Sequence, residues 1–119
     1  MAAPNIVNVA TITGKTVGAA LGTSSADIVT NSAGSGKVFK INAIYVANVD
    51  GTNNADATVG FYDASSTTTF KLAHTVTVPA DATLDVLSKA IYLEEGDKIS
   101  GLASAVGDLE IVVSYEEIS

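Results

Sequence analysis

Cysteine is absent from this sequence, which removes disulfide cross-links, thiolate metal sites and cysteine nucleophiles at a stroke. Stability has to come from packing or from assembly with other chains. Arginine and tryptophan are also absent, and histidine occurs once, as His74. The six basic residues are lysines, scattered as Lys15, Lys37, Lys40, Lys71, Lys89 and Lys98. Phosphate tracking needs a clustered positive patch and base reading favours arginine, so a chain with net charge −7 is expected to bind neither nucleic acid nor an anionic membrane. No run approaches the roughly 18 to 20 apolar residues of a membrane span. Met1 to Asn5 carry neither a basic segment nor an apolar one of the secretory kind, so the expected compartment is a reducing cytoplasm, left only by lysis.

Charge itself is scarce. Charged residues make up 16% of the 119 residues, against about 25% in ordinary soluble domains, and mean hydropathy is +0.35. Two explanations fit. Abundant Ala, Thr, Ser and Gly raise hydropathy without making sticky patches, or part of the exterior is covered by neighbouring subunits.

What is present reads as short strands. Runs of Val, Ile, Thr and Tyr alternate with clusters of Gly, Asp, Asn and Ser, and no window holds a 3.6-residue apolar stripe. The expected strands are Ile6 to Thr13, closed by Gly14; Lys15 to Leu21; Asp27 to Thr30; Lys37 to Val49; Thr58 to Asp63; Thr69 to Val78; one bent or two short strands over Thr83 to Leu87 and Ala90 to Leu93; Lys98 to Ala105; and Leu109 to Ile118. Alternation along Lys37 to Val49 predicts Phe39, Ile41, Ala43, Tyr45, Ala47 and Val49 on one face, while Ile44 and Val46 make its second half apolar on both. In the strand ending at Pro79, Phe70, Leu72, His74, Val76 and Val78 are expected to share a face. Asn31 to Gly36 reads as a turn in which Gly34 and Gly36 take positive φ. Strands at this spacing predict one all-β domain over 1–119, an antiparallel β-sandwich, jelly-roll-like, of about eight strands, with residues 1–5 as a short N-terminal arm. Its charge-poor strands lack obvious edge gatekeepers, an argument for covering by a neighbour.

Candidate chemistry is thin. His74 is the one base available to a Ser–His–Asp arrangement, and a partly buried histidine bonded to backbone is the expected alternative. Asp50, Asn53, Asn54 and Asp56 fall in one short segment that could offer oxygens to calcium, but the spacing lacks the alternation and distant glutamate of an EF-hand loop, and an Asx-rich turn accounts for it. Glu94, Glu95 and Asp97 make a second acidic turn around Gly96. No pair of acids is nominated for glycoside hydrolysis. Tyr45, Tyr62, Tyr92 and Tyr115 lie on four different strands, expected as rings with one edge in the core and the hydroxyl at the rim. No catalytic residue, metal or cofactor is expected.

The stretch from Val78 through Pro79, Leu84 to Leu87 and Leu93-Glu-Glu-Gly-Asp97, with the start APNIVNVATITGKT, the centre KVFKINAIYVANVDGTNNADATVGFYD and the ending LEIVVSYEEIS, resembles small virion structural proteins of tailed bacteriophages, especially marine cyanobacterial ones. The resemblance implies a non-enzymatic particle component, made in the host cytoplasm and carried in the virion. Size and lack of a stem suit a capsid decoration or cement protein, a homo-oligomer (trimer or dimer) contacting the major capsid protein and copies of itself. A tail, neck or baseplate position, or a host-surface glycan-binding module, are the alternatives. The expected protein-contact residues are the arm residues Ala2, Ala3, Pro4 and Asn5 and the loop residues Asp50, Asn53, Asn54 and Asp56. That loop is expected at the same sandwich end as Ser32 to Gly36 and Ala64 to Thr68.

Overall fold

The computed structural model describes residues 10–119, which form strands and turns without a helix. The strands are β1 (Ile12–Ala20), β2 (Ala26–Thr30), β3 (Val38–Asn48), β4 (Ala55–Asp63), β5 (Thr68–Val78), β6 (Thr83–Asp85), β7 (Ile91–Leu93), β8 (Lys98–Ala103) and β9 (Leu109–Ile118). Ala2, Ala3, Pro4 and Asn5, and the first half of the strand expected over Ile6 to Thr13, lie outside the described residues.

Two antiparallel sheets carry these strands. One runs β1-β9-β3-β6, with β7 also on β3, and the other runs β2-β8-β4-β5. Most successive strands change sheet, so the chain winds around a core instead of folding as stacked hairpins. The expected β-sandwich is thus present, with nine strands among the described residues against an expectation of about eight. Of the two readings of Thr83 to Leu93, two short strands is the one observed: β6 pairs with Tyr45–Ala47 and β7 with Phe39–Ile41, so both share one flank of β3.

Alternation buries Leu109, Ile111, Val113 and Tyr115 of β9 against Val59 and Ala57 of β4, Ile99 and Ala103 of β8 and Val29 of β2. Phe39 and Tyr115 stack with ring centroids 5.3 Å apart. Each fully buried Ile, Leu or Val contributes about 1.5–3 kcal/mol through apolar area removed from water. No cysteine supplements this core.

Three expectations need correction. The register between β3 and β9 slips between Ile41 and Ala43, placing a β-bulge at Asn42. One extra residue reverses the facing of everything after it, so Phe39 and Ile41 point inward but are followed by Ile44, Val46 and Asn48, while Tyr45 and Val49 face solvent. In β5 two further slips against β4 break the expected common face: Ala73 is buried, and Phe70, His74 and Val76 are exposed. Gly14 does not close a strand, because β1 pairs through it without interruption from Ile12 to Ala20.

Buried polar side chains hold the loops. Asn31 is fully buried; its amide donates to Lys37 O (2.9 Å) and Leu93 O (3.1 Å), and its Oδ1 accepts from Ser35 Oγ (2.6 Å). Asp97 accepts from Glu94 N (2.9 Å) and Ala64 N (3.0 Å), tying the β7–β8 turn to the β4–β5 turn. Gly96, at φ +91°, makes that turn, and a Cβ there would sit 2.9 Å from Ala64 Cβ. At the opposite end Asn48 donates to Asn53 O and Val78 O, both at 2.9 Å, and accepts from Asp50 N. Each polar atom so buried has its partner, which is the condition for burying it without penalty.

Candidate interaction surface

The two ends of the sandwich differ. The turn Asn31 to Gly36, with Gly34 and Gly36 at φ +75° and +71° as expected, joins the β4–β5 and β7–β8 turns at one end. Asp50 to Asn54 sits at the other end beside the β5–β6 and β8–β9 turns, where Asn54 accepts from Ala80 N (3.2 Å) and Val49 N donates to Asp108 O (2.8 Å). The three loops expected together are therefore split two and one. The cause is strand direction: β3 starts at the first end and finishes at the second.

Within the second end the Asp50 carboxylate is occupied by its own loop. Asp50 accepts from Thr52 N (2.8 Å), Asn53 N (3.3 Å) and Asn53 Nδ2 (3.2 Å), an Asx turn of the expected sort. Those donors, Thr52 N first, hold the Asp50 carboxyl below the usual carboxylate range. Asp108 beside it is pushed up, by desolvation first and by the Asp50 charge second. Asp56 lies in β4, not in the loop, and accepts from Thr77 Oγ1 at 2.7 Å. Among the described residues no three His, Cys, Asp or Glu side chains gather as a metal site.

His74 is exposed on the edge strand β5, not partly buried as expected, because the slip in register turns it outward. The following Thr75 sits at φ +48° and donates its N–H to Thr58 Oγ1 (3.1 Å). The tyrosines divide. Tyr115 is buried and Tyr62 is half-buried with Lys98 Nζ 5.4 Å from its ring centre, whereas Tyr45 and Tyr92 are each 44% exposed.

Those two tyrosines mark the surface that the alternation missed. Tyr45 stands opposite Val112, which stands opposite Gly18, and Asp85 follows on the far side, forming one row across the outer face of the β1-containing sheet. The next row toward the second end is Ala20, Glu110, Ala47 and Thr83. Another holds Gly14, Glu116, Lys40 and Tyr92. Four of the exposed large apolar side chains, Ile12 (57%), Tyr45, Tyr92 and Val112 (40%), lie on this face. Gly14, Thr16, Gly18, Ala20, Ser114 and Ala47 lie among them, with the charges Lys40, Glu110 and Glu116 interleaved and Asp85 on the far side. Exposed aromatic and aliphatic side chains set among small and charged ones are the composition of a protein-contact patch. The alternation gives no sign of this face, because Ala43, Ile44, Tyr45, Val46 and Ala47 are apolar in succession.

At the edge of the same sheet Glu117 is held between two lysines, Lys15 Nζ at 2.9 Å and Lys37 Nζ at 3.0 Å. The hydrogen bond from Lys15 is the main cause that lowers the Glu117 pKa, and the same bond raises that of Lys15. Lys98 pairs with Asp27 at 3.3 Å.

No protein-family model matches the chain, and no curated protein matches it in sequence. Solved structures do. A chain of the acid-stable capsid of Helicobacter pylori bacteriophage KHP30 superposes with a TM-score of 0.57 at 10% identity, over 94% of this chain and 90% of its own. A chain from Bacillus endospore appendages, described as a novel family of disulfide-linked pili, gives 0.55 at 15% identity, over 92% and 87%. Neither comes from a cyanobacterial phage. At such identities what this chain shares with both is the two-sheet fold.

Proposed function

We propose that the protein is a virion structural component without catalytic turnover, most specifically a capsid decoration protein. In this reading it lies on the outside of a phage head and strengthens contacts between capsomers. The observation that carries the proposal is the outer face of the β1-containing sheet, where Ile12, Tyr45, Tyr92 and Val112 lie exposed among small and charged residues. Such a face is stable in water when other protein covers it, and added contacts that exist only in the assembled shell raise the barrier to its disassembly. The likeness of fold to a chain of the KHP30 capsid supports the same reading. The likeness to disulfide-linked pili favours a fibre less, because this sequence holds no cysteine to link one. Its partners are then the major capsid protein and further copies of itself, and its location is the virion.

Copy number tests the proposal. Purified particles should hold hundreds of copies on the head, scaling with capsomer number. A handful of copies confined to the tail, neck or baseplate would replace the decoration role with an accessory one, and absence from the particle would reject both.

A further inference from the structure

We propose that β1 is a self-pairing edge, through which two copies of this chain join antiparallel into one continuous sheet. The inference goes beyond the particle role, since it names the self-contact and concerns the isolated chain. A sandwich has open edges, and this one treats them unequally. Edge strand β2 is short and bulged at Ile28, β5 slips register twice and carries Thr75 at φ +48°, and β6 and β7 span three residues each. Those are the devices by which proteins prevent edge-to-edge pairing. β1 has none of them. It runs nine residues in unbroken register with β9, without proline or bulge, and among the described residues no strand pairs with its other side.

Bonding phase shows which groups are offered. Thr11 N donates to Ser119 O (3.0 Å), Ser119 N donates to Thr11 O (2.9 Å), and Leu21 N donates to Leu109 O (2.9 Å). With the register constant between these points, odd-numbered residues bond to β9 and even-numbered ones turn their N–H and C=O outward. The outward set is Ile12, Gly14, Thr16, Gly18 and Ala20, all uncharged. Gly14 and Gly18 carry no side chain and Ala20 only a methyl, and a Cβ added at Gly14 would meet no atom within 4 Å, so this stretch of the edge is lightly covered by its own side chains. The one charge in β1, Lys15, is already paired with Glu117.

A second copy is the occupant because this edge complements itself. Centring a two-fold axis on Thr16 sets Thr16 opposite Thr16, Gly14 opposite Gly18, Ile12 opposite Ala20 and Lys15 opposite Val17, and it is the one register in which all of β1 overlaps. Cross-strand Thr–Thr pairs are favourable, whereas sliding to place Lys15 opposite Lys15 confronts like charges at the closest spacing. The chain's net charge of −7 opposes contact elsewhere between copies, but this edge is locally neutral. The resulting interface is isologous and closed.

Because the sequence lacks cysteine, single-cysteine variants report the register directly. The full chain should sediment at twice its 12.0 kDa mass. Oxidised Thr16→Cys should link to itself more than about tenfold faster than Ile12→Cys, since directly opposed Cα atoms lie about 5.5 Å apart whereas the two copies of residue 12 would lie about 27 Å apart. Thr16→Pro, which removes an outward N–H and leaves the bonds to β9, should give a monomer with unchanged strand circular dichroism. A monomeric wild-type chain at about 100 μM, a concentration that would populate a dimer of even micromolar affinity, would overturn the proposal. So would equal cross-linking of the two cysteine variants, or a folded Thr16→Pro dimer. Should Thr16→Pro fail to fold, the cysteine pair decides alone.

Discussion

The side chain of Asn31 donates to the carbonyl of Leu93 at 3.1 Å across 62 residues of chain, and it is fully buried where it does so. A neutral amide is the right group there because the pocket offers two carbonyls, Lys37 O and Leu93 O, and one hydroxyl, Ser35 Oγ. Asn31→Ala removes the donor to both carbonyls and leaves the buried Leu93 O without that bond, at an expected cost of about 1–3 kcal/mol. Asn31→Asp should cost more at pH 7, since it turns a carboxylate toward two carbonyl oxygens. Urea unfolding of the three proteins checks the order; an aspartate variant as stable as wild type would contradict it.

Gly60 is fixed by a close approach. A Cβ there would lie 2.7 Å from Thr69 Cγ2 and 3.0 Å from Ser100 Oγ. Gly60→Ala should destabilise by about 1–3 kcal/mol through overpacking. Adding Thr69→Ser, which deletes the obstructing methyl, should restore part of that loss in a double-mutant cycle.

Glu117 sets part of the acid limb of stability. Its carboxyl pKa is lowered in the folded chain, first by the hydrogen bond from Lys15. A lowered folded pKa means that the contribution is complete above the unfolded value of about 4.3 and is lost as pH falls through the folded one. Denaturation midpoints of wild type and Glu117→Gln should therefore differ at pH 7 and converge toward about pH 2–3. A constant difference across that range would contradict the assignment.

Asp108 has the opposite sign. Desolvation and the neighbouring Asp50 raise its pKa, so its ionised form is disfavoured in the folded chain above the unfolded value, and the penalty disappears as pH falls below that value. Asp108→Asn removes the charge beside Asp50 and puts an amide in its place. It should raise the midpoint at pH 7 and have little effect near about pH 3, where Asp108 is itself protonated in both the folded and the unfolded chain.

The two-sheet fold and most strand positions were legible because Val, Ile and Thr runs between Gly- and Asx-rich turns report half-buried strands. The facing of those strands was not. In β3 the residues after Asn42 are apolar on both sides, so the one-residue bulge leaves no mark in the alternation, which points Tyr45 inward although it is exposed. Asn48 illustrates the converse: a polar residue looks external until its bonds to Asn53 O and Val78 O are seen. Asp50, Asn53 and Asn54 were legible as a turn, but their position at the end opposite Ser32 to Gly36 follows from tracing β3, not from composition. His74 departs from the alternation for the same reason as Tyr45, a slip in register that pattern alone does not encode.

Imaging intact particles at a resolution that traces this chain tests the central claim most directly. The account predicts hundreds of copies on the outer head surface, with Tyr45, Tyr92 and Val112 covered by a neighbouring subunit. Particles without the chain, or copies whose Tyr45 face looks into solvent while another surface makes the contacts, would contradict it.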